Sequence, residues 1–450
     1  MPADFLEKCT FKLNQLIISK KISIDIGTTT KSITDDNTVF GDVILTCGTG
    51  EQIGHGSRMT TRKPRQINNI HFDKIIDISA GGVHSNVLTI DGDIYCCGIN
   101  DKGTIPIKDN VDSITVFKKL IFDVEVKKYG KFINITAGAS FTAALTDTGS
   151  VLIWGDLRDA GGEMNNHTLF EILRSKINVL IDSKCGPTII KIASGENHLI
   201  CLSTKGEIYT FGDLSKGQLG RVSGKNPCRK KAYYDNASGT SIKVPNIISN
   251  GKVIRFNNIF AGGFWSMAIA VNGDVYVSGL NNYDQLGFPS SIEEDYDNRI
   301  MLFRKSPIFS KKNLNILNVS GCQHLIVLYD NGEVYSIGKN IDNALGIETW
   351  KGKDDNKNWK SSKLNKIKFS NKIVGVTASM GCSIAWDENG NGWAWGADTS
   401  GQLGLGIKED DTNKMVSKPK QILSNHLIGK KIIKVSISDN HSIFLATNIV

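Results

Sequence analysis

Four histidines recur at one place in a repeated pattern: His84, His198, His324 and His441. Imidazoles could ligate a metal or move protons. No pair shows the short His-x-x-x-His type of spacing that lets local chain converge on one ion, and Phe141, Trp265 and Cys382 fill the same place in the other copies. A metal is therefore not expected; an imidazole bridging strands inside its own repeat is the plainer reading. A second stretch, Asp156-Leu157-Arg158-Asp159-Ala160-Gly161-Gly162-Glu163, mixes charge with two glycines. Glycines let a backbone approach a partner closely, and Arg158 can offer a planar fork to a carboxylate or carbonyl. Its alternative is a hydrophilic connection between repeats. A third, Lys225-Asn226-Pro227-Cys228-Arg229-Lys230-Lys231, is a basic run that is either solvated or set against an acidic partner. There is no Walker A loop, no Gly-x-Ser-x-Gly and no His-Glu-x-x-His. Gly48-Thr49-Gly50 belongs to the repeat and is not a phosphate loop. No catalytic residue and no cofactor is expected.

These residues are carried by a repeat. Glycine pairs 17 residues apart occur at Gly81/Gly98, Gly138/Gly155, Gly195/Gly212, Gly262/Gly279 and Gly321/Gly338, with Ser379/Gly396 as a sixth copy. Successive copies lie 57, 57, 67, 59 and 58 residues apart, and 59 more lead to Ser438. The partner of Ser438 would lie past Val450, while a spare half-unit sits at Gly41–Gly48. Within a unit such as Ile192–Gly220, "HLICLS" and "EIYTFG" read as strands joined by the turn Thr204-Lys205-Gly206. Trp154, Phe211, Ile337 and Trp395 precede the second glycine and are expected to pack between sheets. The leucines of Gln218-Leu219-Gly220, Gln285-Leu286-Gly287 and Gln402-Leu403-Gly404, with Ile53 and Leu345 in variants, are expected to plug the next sheet.

A unit of about 57 residues with several short strands has the size of a propeller blade. The fold class is thus all-β: a seven-bladed β-propeller whose N-terminal strands, from Gly41–Gly56, complete the C-terminal blade at Val435–Ala446. Residues 41–450 form this propeller and residues 1–40 an N-terminal extension.

Composition agrees with a globular chain: 40% hydrophobic, 22% charged and 45 glycines in 450 residues. The net charge of +8 permits a nucleic-acid or acidic-protein partner without requiring one. Nine cysteines without a Cys-x-x-Cys fit a reducing compartment. No secretory signal is read in residues 1–20. Phe256–Gly273, uncharged over 18 residues, carries asparagines and glycines and reads as loop plus strand, not as a membrane span.

The seven blades, "SAGG-x-H-S", the Asp-Gly hairpins and "QLG" together resemble the Regulator of Chromosome Condensation family over roughly residues 41–450. "AALTDTGSVLIWGDLRDAGG", "IIKIASGENHLICLSTKGEIYTFG" and "GDVYVSGLNNYDQLG" carry the resemblance most specifically. It implies a guanine-nucleotide exchange factor for the small GTPase Ran: nuclear, chromatin-associated, monomeric and without covalent chemistry. The alternative is a non-catalytic propeller scaffold for protein–protein interaction. By the same resemblance, Asp156–Glu163 is a β-wedge that enters Ran. Glu51, His84, Glu196, Asn197, His324 and His441 border the Ran-binding face. Arg229, with Arg221, Lys225, Lys230 and Lys231 around it, docks on the nucleosome acidic patch, and DNA is a further partner. Two positions depart from the family: Ala139 stands where it has an acidic residue, and Asn197 replaces an aspartate with Glu196 beside it. The dense basic tail of familiar members is also missing, with Lys20-Lys21 the nearest substitute.

Overall fold

The structure, a computed structural model, describes residues 40–68, 70, 74–100, 103–107, 111–157, 176–221, 242–289, 298–309, 314–353, 357–412 and 414–449. Its described strands form seven four-stranded antiparallel sheets and one two-stranded hairpin, Ile248–Ser249 with Lys252–Val253. In the first sheet the chain runs outward through Ile75–Ala80, His84–Thr89, Ile94–Ile99 and Ser113–Lys119. Five more sheets repeat that order, starting at Phe132, Ile189, Phe256, Ile316 and Ile373. The architecture is a seven-bladed β-propeller.

The seventh blade is composite. Its inner strands are Lys430–Ile437 and His441–Asn448, and its outer strands are Val43–Thr49 and Thr60–Gln66 from the other end of the chain. Val43 pairs with Ala446 and Gly48 with His441 in unbroken register. The ring is therefore shut by backbone hydrogen bonds, and the third strand of this sheet has no open edge.

Burial explains the sequence pattern. The second strand of each blade is sandwiched between the neighbouring blades and is buried on both faces, so "HLICLS" and its equivalents need no polar alternation. Trp154, Phe211, Ile337 and Trp395 pack in the clusters between sheets, and the Trp395 indole donates to Ala344 O at 3.0 Å. Leu219, Leu286, Leu345, Leu403 and Ile53 are buried plugs. Each such side chain contributes roughly 1.5–3 kcal/mol by leaving water. The outer strands are half-exposed and carry Pro64 and lysines, residues that discourage pairing with another chain.

The glycine pair has a steric cause. A Cβ on Gly81 would lie 2.4 Å from the His84 ring and 2.7 Å from Gly138 O of the next blade. One on Gly98, at φ +134°, would lie 2.3 Å from Val83 O. Both glycines crowd the same histidine turn, which fixes their 17-residue separation.

Two readings are corrected. Phe256–Gly273 contains two strands, Phe256–Gly262 and Trp265–Ala270, instead of a loop and one strand; the apolar run continues because both are packed between blades. The turn of the fifth blade is one residue shorter than the spacing implies. Gly321 pairs with Leu325 where Ala80 pairs with Ser85, so Cys322 and Gln323 span a turn that takes Gly81, Gly82 and Val83 in the first blade.

Candidate functional site: one face and the channel mouth

Strand register brings the candidate residues to one end of the ring. His84 faces Gly98, Phe141 faces Gly155, His198 faces Gly212 and His441 faces Gly48. The turns between first and second strands thus share a face with the connections that follow the third strands. Glu51, Asp156, Leu157, Glu196 and Asn197 all belong to these turns and connections.

The innermost residues of the turns surround the mouth of a central channel of about 840 Å3. The turns are strapped to one another: Gly82 N donates to Gly138 O (3.2 Å), Ala139 N to Glu196 O (2.8 Å) and Glu196 N to Gly263 O (2.9 Å). On the far side, Asp439 Oδ1 accepts from Ser379 Oγ at 2.6 Å and from Met380 N at 3.4 Å. Cys322 Sγ donates to Glu196 Oε1 at 3.4 Å, across the small Gly263 of the blade between. Burial raises the Glu196 pKa, and the charge of Asp439 raises it further. The mouth is accordingly a partly desolvated acidic rim.

The histidines lie one layer deeper and are buried. Each reaches a hydroxyl of the following blade: His84 Nε2 to Thr142 Oγ1 (2.7 Å), His198 to Ser266 Oγ (3.0 Å), His324 to Ser383 Oγ (2.8 Å) and His441 to Ser85 Oγ (2.8 Å). They bridge neighbouring blades, where bridging within one blade was expected; the turn throws the side chain sideways into the seam. Burial lowers their pKa values to about 4 for His84 and His324 and about 3 for His198 and His441. They are neutral linchpins, and what they offer a partner is the position of the loops above them. In the other copies Trp265 Nε1 donates to Gly321 O at 3.0 Å and Cys382 Sγ reaches Ser438 O at 4.0 Å.

Leu157 is packed in the core between the second and third blades, and Asp156 is buried with its N–H on Ser140 O at 2.8 Å. Arg158, Asp159, Ala160, Gly161, Gly162 and Glu163 lie outside the described residues, as do Lys225, Arg229, Lys230 and Lys231. Arg221 sits in the seam between the third and fourth blades, bridging Leu302 through its backbone and Thr210 Oγ1 through Nε at 3.0 Å. Asn197 is buried, and its carbonyl accepts from Asp213 N at 2.8 Å. Glu51 opens a short 3-10 turn, Glu51–Ile53, and is half-buried.

Sequence reasoning missed a cluster on the same face, over the fourth and fifth blades. Lys339 Nζ donates to Gln323 Oε1 at 2.7 Å and lies 5.4 Å from the Tyr283 ring centroid. Tyr283 meets Trp359 edge-on at 6.1 Å, and Lys360 pairs with Asp284 at 2.9 Å. Tyr283 precedes a Gln-Leu-Gly tail, but Trp359 comes from a stretch with no repeat signature, so only folding joins them. Such cation–aromatic surfaces suit protein recognition. Among the described residues no group of three or more His, Cys, Asp or Glu could hold a metal ion, and no helix is long and apolar enough to cross a membrane.

Residues 43–444 match the RCC1-like domain family. The chain is 30% identical over 417 residues to the Regulator of chromosome condensation of Xenopus laevis, covering 90% of each protein, and 29% identical over 416 residues to that of Homo sapiens, again covering 90% of each. Among solved structures it resembles yeast RCC1 (Prp20) bound to Kap60, with a TM-score of 0.78, 20% identity and coverage of 94% of this chain and 95% of that one. A second structure, Prp20p of Saccharomyces cerevisiae described with its binding properties to Gsp1p and histones, gives a TM-score of 0.77 at 20% identity and covers 92% and 93%. This chain belongs to the RCC1-like domain family.

Proposed function

We propose that this propeller is a guanine-nucleotide exchange factor for a Ran-type small GTPase, acting in the nucleus on chromatin without covalent chemistry. The observation that carries the reading is the gathering of Glu51, Glu196 and the root of the Asp156–Glu163 segment on one face, in a chain 30% identical to a Regulator of chromosome condensation over 90% of both lengths. The description of Prp20p with Gsp1p and histones supports both partners.

Nucleotide held at picomolar affinity is bound by about 16 kcal/mol and leaves slowly. A factor that prefers the empty GTPase must, by linkage, be weakened by nucleotide as much as it weakens it. Asp156–Glu163 is the wedge that imposes this difference. Its buried Leu157 gives it a fixed base. The direction of exchange comes from the cellular excess of GTP. Arg229, flanked by Arg221, Lys225, Lys230 and Lys231, meets the nucleosome acidic patch by charge-assisted bonds.

A second reading, a scaffold propeller without exchange activity, draws on Ala139 and Asn197. Neither can form the charge-assisted bond of a carboxylate, worth on the order of 1.5–3 kcal/mol. Release of labelled GDP from Ran separates the two. Acceleration abolished by Arg158→Ala combined with deletion of residues 160–162 supports the wedge; a folded ring that leaves release unchanged supports the scaffold.

A further inference from the structure

The channel wall carries a polar belt distinct from the mouth. In six blades the inner strand has a β-bulge just after its first paired residue, and in the seventh just after its third, Ile432; the residue beyond it is Asp77, Asn134, Lys191, Asn258, Asn318, Gly375 or Lys434. Bulges re-aim side chains. Here they produce one ring of equivalent positions at a single depth.

The ring is unevenly satisfied. Asp77 is its one carboxylate, and it is fully engaged: Asn134 Nδ2 donates to Oδ2 at 2.6 Å, and Lys434 Nζ pairs with Oδ1. Asn318 Nδ2 is spent on Val376 O at 2.9 Å. Lys191 is different. Its ammonium donates to Asn258 Oδ1 and lies 4.3 Å from the Phe260 ring centroid, but among the described residues it has no carboxylate. Asn258 Oδ1 also accepts from Ile259 N at 3.0 Å, which fixes the amide and leaves its NH2 as a further donor. Lys191 is half-buried and lines the channel. Lys434 adds a second positive charge within its electrostatic reach.

We propose that the central channel binds a small oxyanion of the phosphate class, held by the Lys191 ammonium and the Asn258 amide and drawn in by Lys434. A half-buried cation with no carboxylate beside it gains from a counterion, and an anion with several acceptor oxygens meets both donors at once. This site lies below the partner-binding face and does not rest on the exchange reading. Burial, and then the charge of Lys434, lowers the Lys191 pKa to about 7 in the free protein. The groups that face it are Asn134, Asn258, Phe260, Asn318, the Asp77–Lys434 pair and, nearer the mouth, Glu196 and Asp439. Of the charged groups, only the lysines favour an anion. Binding requires the Lys191 ammonium, so affinity falls as pH rises through and above 7.

The test is calorimetric titration of the full chain with sulfate, whose charge is constant over this range, at matched chloride ionic strength. The expected result is saturable binding at about pH 6 that weakens about tenfold by pH 8, where a lysine with a pKa near 7 is about one-tenth charged. Lys191→Met should abolish it and the surface control Lys119→Met should leave it intact. If Lys191→Met does not fold, the pH series on the native chain decides alone. Inorganic phosphate and guanosine monophosphate, titrated in parallel at one pH, distinguish a site for the free ion from one open to phosphate esters. Absence of saturable sulfate and phosphate binding, affinity independent of pH, or unchanged affinity in a folded Lys191→Met protein would each overturn the proposal.

Discussion

His441 and Asp439 come from one turn, two residues apart, as do His198 and Glu196, yet their surroundings differ in every respect that matters for chemistry. The seam positions are fully buried, and where polar they meet a fixed group on the next blade. The mouth positions are Gly82, Ala139, Glu196, Gly263, Cys322, Met380 and Asp439, a set with no common size or charge. The difference is geometric. A seam side chain points into a gap whose shape is set by two sheets, so only groups that fill it are tolerated, and polar ones must also find a partner there. A mouth side chain points over a channel, and the straps from Gly82 through Ala139 and Glu196 to Gly263 are backbone bonds, while the Asp439 carboxylate supplies the strap on the far side. Ring integrity therefore resides in the seam, while partner choice can be altered at the mouth without unfolding the blades.

The sharpest way to break this comparison is at the seam. Trp265→Ala removes a fully buried indole and its bond to Gly321 O; a loss of about 3–5 kcal/mol is expected in urea unfolding of the full chain. A smaller loss would mean that the blades can slide together. Acid comes next. The seam histidines have folded pKa values of about 3 to 4, below the unfolded value of about 6.5. The folded state thus holds fewer protons. Their contribution is fully present above about pH 6.5 and declines as pH falls towards 4, by up to about 1.4 kcal/mol per pH unit for each histidine. Urea midpoints measured from pH 7.5 to pH 5 should show this slope, and His441→Gln should reduce it by close to one proton.

Substitutions at the mouth sharpen the contrast from the other side. Lys339 is half-buried, and Lys339→Ala should change stability by less than about 1 kcal/mol. If the exchange reading holds, it should slow GTPase association several-fold at low salt. Stopped-flow association rates at two ionic strengths check this. The smallest effect is expected from Glu196→Gln. The raised pKa of Glu196 means that its ionisation opposes folding. The native chain is thus favoured below the unfolded pKa and loses that advantage as pH rises through the folded one. Glutamine should then stabilise the chain by under about 0.5 kcal/mol at neutral pH and by nothing near pH 4. Thermal melts at the two pH values decide it.

Part of the site was legible because it sits in the repeat grammar. Glu196 and the four histidines could be found from their distance to a glycine. The Tyr283–Trp359–Lys339 cluster could not, since Trp359 follows no period and reaches its partners only through the fold. The direction of the histidine side chains was also invisible. A turn read from sequence gives the residue at its end but not whether that residue leans along its own sheet or into the next.

The sequence alone determined the ring: glycine spacing dictates the turns, apolar runs dictate strands buried on both faces, and a half-unit at each end can be satisfied only by pairing the two. Only the tertiary structure decided what the ring encloses. The approach of Cys322 to Glu196 and the gathering of Lys191, Asn258 and Lys434 around the channel arise from contacts between residues dozens to hundreds of positions apart. Short-range patterns record how each blade is made; the chemistry at the centre depends on how seven separately written blades meet around one axis.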